Sequence, residues 1–125
     1  MMKKVATEKA PAAIGPYSQA IIANGFVFTS GQIPIDPADG TIVKGGIKEQ
    51  AAQSLKNITA ILKEAGTDNT KIVRTMCFLA DMNDFAAFNE VYASYITENP
   101  ARSCVAVKTL PKGVLCEVEA TAVLD

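Results

Sequence analysis

The 125-residue sequence predicts an α+β fold in which a single mixed β-sheet carries two helices on one face. Three observations carry that prediction. Asn24-Gly25 stands between two apolar runs, two stretches of helical periodicity flank an apolar strand pattern, and two further strand patterns follow Pro100. The length suits one domain over residues 1–125, and no repeat or linker composition interrupts it.

The elements follow in order. A short strand is expected at Lys3–Ala6. Tyr17–Ala23 and Phe26–Ser30 read as a hairpin, because Asn and Gly both tolerate the positive φ that a two-residue turn requires. Gly31-Gln32-Ile33-Pro34 ends the second strand, and Asp36-Pro37-Ala38-Asp39-Gly40 is turn chemistry throughout. Ile47, Ala51, Leu55, Ile58, Leu62 and Ala65 then recur at helical spacing, with Gly66 just beyond as a C-terminal cap.

Lys71–Ala80 reads as a strand apolar on both faces, with Ile72, Met76 and Phe78 set against Val73, Cys77 and Leu79. A second helix carries Phe85, Phe88, Tyr92 and Tyr95 on one stripe, with Asp81 or Asn83 as cap and Pro100 closing it. Ser103–Val107 and Leu115–Leu124 complete the sheet. Two helices cover only one face of such a sheet, yet Met76, Phe78, Leu115 and Val123 make the strands apolar on both sides. A second copy of the chain in a closed oligomer is the expected cover; the number of copies does not follow from the residues alone.

Composition narrows the chemistry. A net charge of −1 and dispersed lysines argue against a protein built to neutralise a phosphate backbone, so nucleic acid is not an expected partner. The N-terminus lacks the apolar run of a signal peptide, no stretch reaches membrane-spanning length, and three cysteines without a CxxC suit a reducing compartment; a cytoplasmic protein is expected. Asn57-Ile58-Thr59 matches a glycosylation sequon but falls inside the helical pattern, where it reads as chance. There are no histidines, which removes histidine bases, histidine-activated nucleophiles and histidine metal sites together.

Two features remain as candidates. Arg74 and Arg102 are the only arginines among twelve basic residues. Arg74 reads as a structural ion pair or an interface residue. Arg102, in Pro100-Ala101-Arg102-Ser103-Cys104, stands where a loop enters a strand, and its planar fork suits a carboxylate; by position alone a surface salt bridge remains the better reading. In Cys116-Glu117-Val118-Glu119-Ala120-Thr121, alternation places Glu117 and Glu119 on one face with Thr121 and Val123. A partly buried glutamate there is either paired structurally or raised in pKa toward a general base.

Ala12-Ala13-Ile14-Gly15-Pro16-Tyr17-Ser18-Gln19-Ala20, Thr29-Ser30-Gly31-Gln32-Ile33-Pro34, Asp84-Phe85 leading to Asn89, Pro100 to Cys104, and Glu117 to Ala120 together resemble the RidA (YjgF) family from end to end. That resemblance implies a chorismate-mutase-like fold assembled as a homotrimer with intersubunit clefts. It also implies hydrolysis of 2-aminoacrylate and 2-iminobutanoate to 2-keto acids and ammonia, without cofactor or metal. By motif, Arg102 would hold the substrate carboxylate with backbone groups near Gly31 and Cys104. Tyr17 and Ser30 would supply hydroxyls, Asn89 would form pocket wall, and Glu117 would orient or activate water. Cys104 is assigned to the pocket wall, since no histidine is present to activate it.

The loop Thr97–Ala101 is shorter than in many relatives, which bears on substrate side-chain preference. Two rival functions stand beside the deaminase: a trimer that binds small 2-keto or 2-imino acids without turnover, and a ribonuclease or translation inhibitor.

Overall fold

A computed structural model describes residues 2–125 and shows the α+β arrangement. Six strands form one sheet: β1 (Lys3–Val5), β2 (Ala20–Ala23), β3 (Phe26–Thr29), β6 (Ile72–Leu79), β7 (Ala101–Ala106) and β8 (Cys116–Val123). Their spatial order is β1-β2-β3-β8-β6-β7. All neighbours are antiparallel except β6 and β7, so the sheet is mixed. Two-residue strands β4 (Ile35–Asp36) and β5 (Thr41–Ile42) pair separately across the Pro37–Gly40 turn, a ladder too short to announce itself by alternation.

Local chemistry sets several of these elements. Asn24 and Gly25 take φ of 52° and 81°, closing the β2–β3 hairpin with Ala23 opposite Phe26. Helix α1 runs Ile47–Ala65 as its periodicity predicts. At its start the Gly46 N–H donates to the Glu49 carboxylate at 2.8 Å. At its end Gly66 takes φ of 97°, which lets its N–H reach back to the last-turn carbonyls.

Helix α2 spans Phe85–Tyr95, and its boundaries differ from the sequence reading at both ends. Asp81 caps a 3-10 turn at Met82–Asp84 through the Asn83 N–H, while Asp84 occupies the N-cap of α2 without a side-chain bond. The helix stops at Tyr95 with Ile96 as its cap, five residues before Pro100 is needed.

Both helices lie on one face of the sheet. There Ala51, Leu55, Ile58 and Leu62 of α1, with Phe88 and Tyr92 of α2, pack on Thr75, Cys77 and Leu79 of β6 and on alternate β8 residues Cys116, Val118, Ala120 and Ala122. Burial of each large apolar side chain is worth about 1.5–3 kcal/mol, and this face is the hydrophobic core. A bulge between Ile72 and Arg74 shifts the β6 register. It turns Ile72 to the helix face with Cys77 and Leu79, whereas plain alternation grouped Ile72 with Met76 and Phe78.

The opposite face carries Phe28, Met76, Phe78, Glu117, Thr121 and Val123, with no helix or strand across it among the described residues; Phe28 is 45% exposed. Among the described residues no helix is long and apolar enough to cross a membrane.

Three buried amides tie loops to this frame. Asn57, fully buried on α1, donates its amide to the carbonyls of Ile33 and Ile35, so the sequon asparagine is a structural clamp. The Gln50 side-chain oxygen accepts from the Leu115 N–H at 2.8 Å, fixing the entry to β8. Gln19 accepts from the Thr7 N–H and donates to the carbonyls of Ala10 and Pro11, holding the N-terminal loop beside β3. None of the three has a buried side-chain atom left without a partner among the described residues.

Candidate active site

The seven candidate site residues fall into two groups on opposite faces of the sheet. Glu117 lies opposite Phe78 on the uncovered face. Ser30, Gly31 and Tyr17 stand beside it, and the four share a cleft of about 380 Å3 rimmed by Ile14 and Lys112. The main chain places them. Gln32 and Val118 exchange both backbone hydrogen bonds just outside the β3–β8 ladder, at 2.7 and 3.2 Å, which sets Gly31 against Glu117.

Glycine leaves room there for the Glu117 carboxylate. A Cβ on residue 31 would lie 2.0 Å from the Glu117 Oε2 atom. Ser30 is held by its own hydroxyl, which donates to the Ser18 carbonyl at 2.6 Å and keeps its lone pairs free to accept. Tyr17 is 52% exposed and lies outside β2, so the first hairpin strand begins three residues later than its apolar pattern suggested.

Glu117 is half-buried and has no ion-pair partner among the described residues. Loss of hydration, then repulsion from Glu119, raises its carboxyl pKa above 4.5, the ordinary glutamate value. A carboxylate kept this way is a better base than one held by a salt bridge.

The second group gathers on the helix-covered face, at the β7 edge. Arg102 is the parallel partner of Thr75, and Cys104 of Cys77, so both side chains point toward α2. Asn99, at φ 50°, makes the tight turn through which the short loop delivers Pro100 and Ala101 to this edge. The Arg102 guanidinium donates to the Asn89 side-chain oxygen at 2.7 Å. Its carbon lies 4.8 Å from the Tyr92 ring centroid and 5.5 Å from that of Phe85.

Arg102 thus sits on a cradle of helix side chains, unlike the surface salt bridge that position alone favoured. Burial raises the Cys104 thiol pKa, against the pull of Arg102, which leaves it a poor nucleophile. Arg74, by contrast, is exposed and makes no ion pair among the described residues, so of its two readings the interface residue is the one left standing.

Phe85, Tyr92 and Thr75 were not singled out as site residues. Phe85 and Tyr92 read as a core stripe, and the available signal was that Phe85, Asn89 and Tyr92 lie at i, i+4 and i+7 on one helix line. Among the described residues no group of three or more acidic, cysteine or histidine side chains is arranged to hold a metal ion. A wider hollow on the other side of Tyr17, lined by Lys4, Thr7 and Gln19, has its central amide committed to loop backbone.

The arrangement offers a cation shaped for a carboxylate on one side of the sheet and a base with hydroxyls on the other. Known proteins resemble the chain along nearly its whole length. A family model described as endoribonuclease L-PSP matches residues 7–124. The chain is 55% identical to a RutC family protein of Pyrococcus horikoshii, over 98% of each. It is 50% identical to a Homo sapiens protein named 2-iminobutanoate/2-iminopropanoate deaminase, over 95% of this chain and 88% of the other. It superimposes on the crystal structure of E. coli TdcF with bound serine at a TM-score of 0.92 and 46% identity, covering 97% and 98% of the two chains.

Proposed function

Because the chain belongs to the endoribonuclease L-PSP (YjgF/RidA) family, we propose that it hydrolyses short 2-imino acids and their 2-enamine tautomers to 2-keto acids and ammonia. The observation that carries this reading is the pairing of unlike groups: Arg102, preset for a carboxylate, and Glu117, raised in pKa and unpaired. Human and rodent relatives at about half identity bear the deaminase name, and TdcF holds a small amino acid, which supports a carboxylate-bearing ligand of that size.

The chemistry needs little more than positioning. Arg102 would take the substrate carboxylate in two parallel hydrogen bonds and so aim the imine carbon at the cleft. Glu117 would accept a proton from a water as its oxygen bonds to that carbon, giving a carbinolamine. That proton returns to nitrogen, the carbinol hydroxyl then passes its own proton to nitrogen through Glu117, and as the C=O forms the C–N bond breaks, releasing ammonia and leaving the keto acid. Ser30 and Tyr17 would steady the water and the developing alcohol. The carbon is already electrophilic, so alignment and one base provide the acceleration.

Within one chain the sheet separates Arg102 from Glu117. The reading therefore places the site between copies: the β7–α2 edge of one chain against the Glu117 cleft of the next, in a closed ring that also covers the apolar face. The family resemblance implies that the ring is a homotrimer. A cytoplasmic location suits the three unpaired cysteines.

Generating 2-iminobutanoate with a threonine dehydratase and following its decay tests the activity. Decay should quicken in proportion to the protein added. Unchanged decay, with keto acids still binding, would establish a non-catalytic sensor instead. Sedimentation should give three times the chain mass.

A further inference from the structure

Arg102 is held more closely than its own bonds require, and the outermost member of the assembly is a residue the proposed chemistry does not use. The Tyr92 hydroxyl meets the Thr75 hydroxyl at 2.7 Å in the core. Thr75 is 1% exposed and is the direct strand partner of Arg102. One strand thus supplies the anchor for the ring on which its neighbour's guanidinium rests. Tyr92 also packs on Phe88, with ring centroids 5.9 Å apart, leaving the phenol little freedom except about the axis that its hydroxyl fixes.

A buried tyrosine on an otherwise apolar stripe would pack as well as phenylalanine. A hydroxyl there costs dehydration unless it is bonded, and a partner has been placed for it. The outcome of that bond is a fixed tilt of the ring beneath Arg102. With the Asn89 oxygen taking one N–H and the rings of Phe85 and Tyr92 close to the guanidinium, the remaining N–H groups are aimed before any ligand arrives.

We propose that Thr75 and Tyr92 are positioning residues which, through their hydroxyl pair, preset the Arg102 guanidinium for a carboxylate. This rests on the reading of Arg102 as the carboxylate grip. The benefit lies in affinity: a guanidinium already in place loses less freedom when it binds. Because the carboxylate is held alike in the ground and transition states, loss of the pair acts on KM and leaves kcat nearly unchanged.

The test uses the full chain with 2-ketobutyrate as binding probe and 2-iminobutanoate as substrate. Thr75→Val and Tyr92→Phe should each raise the 2-ketobutyrate Kd and the imine KM by about fivefold, the scale of one hydrogen bond. The double variant should be no worse than either single one, since all three lose the same interaction. Thr75→Ser, which keeps the hydroxyl and loses a methyl, should restore Kd and KM while remaining less stable than the parent. A purely structural role would instead make affinity follow stability.

Should a single variant unfold because it strands a hydroxyl, the double variant, with both hydroxyls gone, keeps the test decisive. Unaltered Kd and KM in the folded double variant would overturn the proposal alone. Binding of 2-ketobutyrate by the parent without imine turnover would overturn the deaminase reading and leave the affinity comparison standing. No binding by the parent would overturn the Arg102 grip and this proposal with it.

Discussion

The two halves of the candidate site are built on opposite principles. Arg102 is surrounded: an amide oxygen at 2.7 Å and two aromatic rings within 5.5 Å determine where its charge lies. Glu117 has no ion-pair partner among the described residues, and its carboxylate lies against a residue with no side chain at all, Gly31. A group that must recognise a shape gains from being fixed. A group that must take a proton would lose its basicity if it were paired. On the proposed function, the contrast separates what is needed to bind from what is needed to react.

Removing the fixed half should have the largest effect. Arg102→Ala is expected to lower kcat/KM about 100-fold or more, the worth of two hydrogen bonds to a charged group, without changing the oligomer. Steady-state kinetics with sedimentation checks both. Glu117→Gln should lower kcat by about 100-fold, as loss of a general base does, while Kd for a keto acid changes little. Mixing the two inactive variants before assembly should regain about a quarter of the parent activity if each site draws one half from each neighbour in a ring; no regain would place both halves in one chain.

Gly31→Ala is the subtler change. The new methyl cannot coexist with Glu117 in its present place, so the carboxylate must swing aside. A fall of about tenfold in kcat is expected, with a melting temperature close to the parent's because the displaced group is a side-chain end.

The pH dependence follows from the raised Glu117 pKa. The ionised form is the active one, so the acid limb of kcat/KM should lie above 4.5, and activity falls as pH drops through it. For stability the sign is opposite. A carboxyl whose folded pKa is raised contributes stability below its ordinary value and loses that contribution as pH rises through the folded one. Glu117→Gln should therefore melt slightly above the parent at neutral pH. Glu119→Gln, which removes the lesser cause of the shift, should lower the acid limb without abolishing its displacement.

Much of the frame was legible because it is written in short-range chemistry. Asn24-Gly25 announces a hairpin, Ile47–Ala65 with Gly66 announces a helix and its end, and alternation in Cys116–Val123 gives the face of Glu117 correctly. The Ile72 bulge was not legible, since no glycine marks it and only pairing with β8 reveals it. Similarly, α2 ends where its last backbone bond closes at Ile96, well ahead of the proline.

The site was legible in a different way. Arg102 stood out by rarity and Glu117 by alternation, but their chemical roles came through the family resemblance. The cradle around Arg102 could not be read at all from one strand. Thr75 lies 27 positions away from Arg102 along the chain, and only the parallel β6–β7 register makes them neighbours. Tertiary pairing is the information that short-range patterns lack.

The place of β8 has a consequence for how the protein comes into being. It is the final strand of the chain, yet it lies between β3 and β6, joining β1-β2-β3 to β6-β7. During synthesis neither part can complete the sheet, and α1 has no Val118 or Ala120 to rest on until the C-terminal residues emerge. Folding must wait for them, and long-range pairings of this kind are slow to form. The same strand carries Glu117, so a chain stopped short of it lacks both the strand that joins the two parts of the sheet and the candidate base. Completion of the sheet and delivery of the candidate base thereby fall to the same late-made segment.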